Sequence, residues 1–279
     1  PPVVKVGLQY LSPMSYNFAR MVVATIVAML ALWLSRTYRK FEQEDLRKVL
    51  QVSAFGFLVF QVCFAEGVLR TTAGNASFLL CLLPVSVVLI NKFFGLEALT
   101  RPAMVGIGLS MAGVAFIVLG SGKEISLAST HLVGTGLMLL AQFGYAYYTV
   151  FSRPLLQKYS TYQITAALML MTTLLMFPFS AGSVLTINWA GLPLNVWGSV
   201  VFSSVLALCL GNFLWIWGAG IIGSTRASVF NNLSPVFAVI FGYLLLNESF
   251  GPLQFAGAMA VFAGVWITRH RKLPFSRRI

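Results

Sequence analysis

Two adjacent amides, Asn231 and Asn232, and a proline, Pro235, open an apolar run, NNLSPVFAVIFGYLLLNESF (231–250), whose first charge is Glu248. Two more amides, Gln61 and Asn212, stand in other apolar runs. A fifth, Gln142, begins the series Gln142, Tyr145, Thr149, Ser152, spaced i, i+3, i+7 and i+10, which draws one polar stripe down a helix. An amide surrounded by hydrocarbon turns to a partner or to water. Lining a wet cavity, such groups exchange hydrogen bonds with a small polar solute and release it again, because none carries a trapping charge. The bland alternative is a bond between helices, worth about 0.6 kcal/mol on average in one membrane protein. Trp215, inside its run rather than at the rim, stacks an apolar or aromatic solute or else fills the core. Tyr147 and Tyr148 are expected at the membrane interface.

Arg20, Glu66 and Lys5 are the ionisable residues expected to reach membrane depth. Glu66 stands four residues before Arg70, the spacing of a local helical ion pair; alternatively it carries a proton or receives an amine. Arg20 either snorkels to the interface or meets a carboxylate. Arg20 and Glu66 are thus the candidates for charge or proton coupling. Glu97 and Glu248 end their apolar runs and are expected to mark boundaries and fix loops. Catalysis would need a nucleophile–base pair, a metal cluster or paired carboxylates. The only histidines are His131 and His270, and Cys63, Cys81 and Cys209 sit in apolar runs as packing thiols. The chain is therefore read as no enzyme, with no cofactor and no metal site.

The elements that position these residues follow from composition. Charged residues make up 9% of the 279, hydrophobic ones 58%, and the mean hydropathy is +0.84. A soluble domain carries about 25% charged residues, so this chain cannot clothe a water-facing surface. Residues 159–225 contain no Lys, Arg, Asp or Glu, enough for two spans of roughly 20 residues each. The fold class is all-α, a polytopic membrane protein; continuous apolar runs exclude a barrel, whose strands alternate. Spans are predicted at 13–34, 49–69, 72–94, 102–120, 131–151, 161–181, 195–217, 227–246 and 252–268. The net charge of +12 comes mostly from Lys and Arg in alternate loops, around 36–48, 92–101, 153–158, at 226, and in the tail from 269. Such loops stay cytoplasmic, which puts the C-terminus inside and makes nucleic acid an unneeded partner.

The chain repeats itself. At a shift of 151, eleven residues coincide between 76 and 114, among them Pro84/Pro235, Glu97/Glu248, Gly106/Gly257 and Gly113/Gly264; Gln61 falls on Asn212. At a shift of 148, Leu8, Gln9 and Ser12 meet Leu156, Gln157 and Ser160. Two halves follow, 1–125 and 126–279. The second register predicts that the sequence opens late in a first span, largely missing, and that the full pattern has five plus five spans. Five is odd, so the halves insert with opposite orientation, and a substrate site is expected near the midplane between them. Pro84 and Pro235 each free a backbone carbonyl, tolerable in lipid only beside protein or water, and are candidate hinges.

The stretches RTTAGNASFLLCLLPV (70–85), GIGLSMAGVAFIV (106–118) and STRASVFNNLSPVFAVIFGYLLLNESFGPLQFAGAMAVFAGV (224–265) resemble the EamA-type branch of the drug/metabolite transporter superfamily. That resemblance implies a ten-helix secondary transporter of the bacterial inner membrane, exporting amino acids or related metabolites by alternating access, with protons as a conceivable coupling ion. A nucleotide-sugar or lipid-linked substrate carrier of the same superfamily is the alternative, but it would want a wall of Lys and Arg where this chain offers Arg20 and Lys5. An intramembrane enzyme is the remote third reading. The first copy has Leu80-Cys81 where the second has Asn231-Asn232, so the halves are expected to contribute unequally.

Overall fold

A computed structural model of the chain describes residues 7–97, 100–121, 131–246 and 251–269. Nine helical rods occupy the nine predicted spans: α1 (Pro13–Ser35), α2 (Gln43–Val68), α3 (Ala73–Leu80 then Leu83–Phe94), α4 (Arg101–Gly120), α5 (Leu132–Leu156), α6 (Thr161–Val184), α7 (Leu194–Ile222), α8 (Ser224–Phe230 then Leu233–Leu246) and α9 (Pro252–Arg269). No strand occurs among the described residues. Helices are forced, because in hydrocarbon every backbone N–H and C=O must be satisfied within its own segment. Hydroxyl caps start four of them: Ser12, Thr72, Thr100 and Ser160 accept the backbone N–H three residues on. Among the described residues, six helices are long and apolar enough to cross a membrane. Their outward faces carry bare apolar side chains such as Trp33, Phe93 and Leu194.

Two kinds of irregularity recur in register. A wide π turn runs over Val52–Leu58 in α2 and over Ser204–Leu210 in α7. An outright break falls at Cys81-Leu82 in α3 and at Asn231-Asn232 in α8. Each break directly precedes or overlaps the turn that begins with Pro84 or Pro235. Pro84 occupies the first turn of the restarted helix, where its missing N–H costs nothing. The prolines thus restart interrupted helices rather than bend continuous ones.

Repeat-equivalent helices pack against each other head to tail. On α1 and α6, Phe18 lies against Phe177, Thr25 Oγ1 meets Thr173 Oγ1 at 2.8 Å, and Thr37 Oγ1 meets Ser160 Oγ. On α3 and α8, Asn231 reaches Leu80 and Asn91 reaches Ser224. On α4 and α9, a Cβ added at Gly113 would lie 2.6 Å from the Gly257 carbonyl oxygen, and one at Gly257 would lie 2.5 Å from that of Gly113. Gly106 and Gly264 face each other in the same reciprocal way. Each pair runs antiparallel, the arrangement that an inverted repeat demands. Two contacts join residues exactly one repeat apart in sequence, Thr25–Thr173 and Leu80–Asn231. Residues that touch their own counterparts lie on the pseudo-twofold axis.

The basic loops gather at one end. Lys158 Nζ donates to Glu42 Oε2 and Asp45 Oδ2, both at 2.9 Å, and Gln163 Nε2 donates to the Arg39 carbonyl. Hydrogen bonding to Asp45, then to Glu42, holds the Lys158 ammonium above its ordinary pKa.

Candidate functional site

The two breaks meet at the axis, and Pro84 explains the chemistry there. In an unbroken helix the Leu80 carbonyl would accept the N–H of residue 84, which proline lacks. Asn231 Nδ2 supplies the missing donor across the interface, 3.0 Å from the Leu80 oxygen. The mirror-image carbonyl, that of Asn231 itself, is freed by Pro235 and takes the Ser234 N–H instead. Leu80 has no amide to offer in return, so the asymmetry expected from Leu80-Cys81 against Asn231-Asn232 is expressed as one cross-interface bond rather than two.

Asn232 is fully buried, donates to Ser110 Oγ at 3.0 Å, and leaves its Oδ1 without a donor among the described residues. Its counterpart, Cys81, and the counterpart of Ser110, Val261, share an apolar cluster. One side of the axis is therefore polar where the other is greasy. Gln61 and Asn212 stand in the repeat-equivalent helices α2 and α7, both buried. Gln61 Nε2 lies 3.0 Å from Met21 Sδ, and the Gln61 backbone carbonyl accepts from Asn17 Nδ2. Asn212 Nδ2 donates to the Leu208 carbonyl inside the π turn, and its Oδ1 has no donor among the described residues. Thr165 and Thr172 of α6, one face apart by two turns, likewise hold buried hydroxyls without partners there. Buried polar atoms are overwhelmingly hydrogen-bonded, so each of these open atoms is a place where water or a polar group of a solute is accommodated.

The stripe on α5 faces inward. Tyr145 stacks against Trp215 of α7 (5.5 Å between centroids, 29° between planes) and lies 4.6 Å from Phe60 of α2. Trp215 Nε1 donates to Thr149 Oγ1 at 2.9 Å, and that hydroxyl donates in turn to the Tyr145 carbonyl. Gln142, at the head of the stripe, is buried. Tyr148 corrects the expectation of an interfacial residue: it is 1% exposed and stacks on Phe57 at 4.8 Å. The cause is the close pass of Gly56 and Gly144, which brings α2 over that side of α5; a helix enclosed on several sides has no interfacial face. Tyr147 is half-buried against Phe151, and Trp217 faces outward.

The charged candidates separate. Glu66 is ion-paired to Arg70 one turn away, both partly exposed, and is not brought to the amides. Arg20 is mostly enclosed beside α7, its guanidinium 5.7 Å from the Tyr16 ring. Lys5 and Glu248 lie outside the described residues.

Glu97 holds more than a loop. Its carboxylate accepts the Ser224 N–H at 3.0 Å, the Thr225 N–H at 3.1 Å, Thr225 Oγ1 at 2.5 Å and Asn91 Nδ2 at 3.2 Å, and it is ion-paired with Arg153. Gly223, at φ +92°, makes room for it: a Cβ there would lie 3.0 Å from Glu97 Oε1. A carboxylate so placed satisfies the free N–H groups at the head of α8 and ties the end of α3 to α5 and α8. Grooves at the basic end, beside Trp33 and Tyr38 and beside Arg36 and Lys158, lie away from the amides.

The model of the family described as EamA-like transporter matches residues 1–119 and 132–269. An uncharacterized transporter of Archaeoglobus fulgidus is 28% identical over 96% of this chain and 93% of its own. A protein of Streptantibioticus cattleyicolor named a probable terminal-alkyne amino-acid exporter is 24% identical over 98% of this chain and 89% of its own. A solved crystal structure superposes with a TM-score of 0.79 over 95% of this chain and 90% of that one, at 15% identity, a likeness of fold alone. With its antiparallel twin helices and its outward apolar faces, the chain belongs to the EamA-like transporter family and is a multi-pass membrane transporter.

Proposed function

We propose that the protein is a secondary transporter that exports amino acids or closely related metabolites across the inner membrane by alternating access, with its C-terminal tail in the cytoplasm. The observation that carries this reading is the meeting of two interrupted helices on the pseudo-twofold axis, with the open acceptor of Asn232 at one of the breaks. Interrupted helices at a repeat interface present backbone and amide groups to a solute at the midplane. The Tyr145–Trp215 stack beside them suits an apolar or aromatic side chain. The name of the Streptantibioticus relative supports the substrate class.

The Glu97 network supplies the mechanical part. It bridges α3 to α5 and α8 at the end where the basic loops gather, so it closes the cytoplasmic side and must part for loading. Small-residue contacts between α4 and α9 let those helices slide without losing bulky interlocks. Counterflow of labelled amino acids in reconstituted vesicles tests the reading. Saturable flux of at least one amino acid is expected; a broad panel without flux sinks the substrate class.

A further inference from the structure

We propose that Arg20 anchors the carboxylate of the transported solute, so that the site accepts zwitterionic or anionic carboxylic acids and rejects their amides. This rests on the export reading above and names its substrate class. Arg20 lies seven residues after Pro13, roughly 10 Å into α1 at 1.5 Å per residue. Its neighbours on that helix reach two ways. Tyr16 Oη contacts Ser199 and Ser203 of α7, while Asn17 and Met21 contact Gln61 of α2. Arg20 sits between these faces, turned toward the wedge between α2 and α7, the twin helices that carry Gln61 and Asn212.

A guanidinium presents five donors in a planar fork that matches a carboxylate. In this chain the fork has the Tyr16 ring beside it and no acceptor among the described residues; Nε is shut away from solvent without a partner. Among the described residues, no buried carboxylate is left over to serve it. Asp45 is engaged by Lys48 and Lys158, Glu66 by Arg70, and Glu97 by Arg153 and α8. Among the described residues, the interior of the spans thus carries a cation without an acceptor, a place that a carboxylate of the solute fills. The open Oδ1 atoms of Asn212 and Asn232 are of the opposite kind, acceptors suited to an ammonium. A lipid headgroup phosphate shares the acceptor chemistry of a carboxylate, and the experiment separates the two sources.

The full chain is held in phosphatidylcholine nanodiscs and treated with phenylglyoxal, and modification of Arg20 is read by mass spectrometry. A mixture of free L-amino acids, arginine and lysine omitted, is expected to slow modification at least fivefold, whereas the matching mixture of carboxamides leaves it unchanged. An unreactive Arg20, or equal protection by the carboxamides, overturns the proposal. Slowing only when phosphatidylglycerol replaces phosphatidylcholine also overturns it and assigns the side chain to the headgroup. In proteoliposomes, Arg20→Gln is expected to lose at least tenfold in the preference for acid over amide as competitor, with Arg20→Lys intermediate. An unaltered preference in a folded Arg20→Gln protein refutes the anchor. Carboxylate protection of Arg20 in a protein that moves no amino acid would sink the export reading and leave the anchor standing.

Discussion

The Leu80 carbonyl, the side chain of Asn231 and the ring of Pro84 form one unit: the proline creates a demand and the amide meets it. Asn231→Leu is therefore expected to lower stability by about 1–3 kcal/mol, the cost of a buried polar group left unsatisfied. Adding Pro84→Ala restores an N–H to the same carbonyl, so the double variant should recover part of the loss in thermal unfolding of the solubilised protein. Additive losses would show that the bond matters little. Glu97→Gln keeps the shape of the carboxylate but removes its charge opposite Arg153, a pair whose side chains are only 10% and 18% exposed. Breaking one partner of a buried pair is costly. We expect a cysteine placed at Ala227 to react with maleimide at least tenfold faster in the Glu97→Gln background, equivalent to about 1.4 kcal/mol. An unchanged rate would argue against a latch. Gln61, Asn212 and the α5 stripe were legible from residue type alone, because amides in apolar runs are conspicuous. The partner of Asn231 was not legible: a freed carbonyl is a backbone property, visible only once the counterpart helix is in place.

At the scale of elements, hydropathy located all nine rods, since their length is set by the thickness of hydrocarbon rather than by side-chain detail. The π turns of α2 and α7 left no trace in residue type, because widening a turn by one residue demands no special side chain. Tyr148 was misplaced for a related reason: its position along α5 suggested an interface, but burial depends on which neighbour crosses it. The α4–α9 contact offers a clean measurement. Gly113→Ala forces a Cβ against the Gly257 carbonyl and should cost about 1–3 kcal/mol by overpacking. Gly108→Ala, on the same helix with nothing within 4 Å, should be neutral or gain up to about 1 kcal/mol in helix propensity. Equal effects at both sites would mean that the two helices do not approach as closely as described.

At the scale of the molecule, two copies of one fold with opposite orientation give two end states that interconvert when each copy adopts the shape of the other. A contact made by the same group of a residue and of its own counterpart becomes itself under that exchange. Thr25 with Thr173, hydroxyl against hydroxyl, should therefore survive the cycle unbroken, whereas the one-sided bond from the Asn231 side chain to the Leu80 carbonyl has no mirror image to become. A contact between unlike positions has no such protection; Glu97 with Ser224 must give way as its mirror image forms. In a background with Cys63, Cys81 and Cys209 replaced, a disulfide made by Thr25→Cys with Thr173→Cys should leave counterflow near normal, and one made by Glu97→Cys with Ser224→Cys should stop it. The opposite pattern would mean that the halves do not trade shapes. Self-paired residues are the fixed points of the exchange, which makes the two threonines the pivot on which the machine turns rather than a lock that it must open.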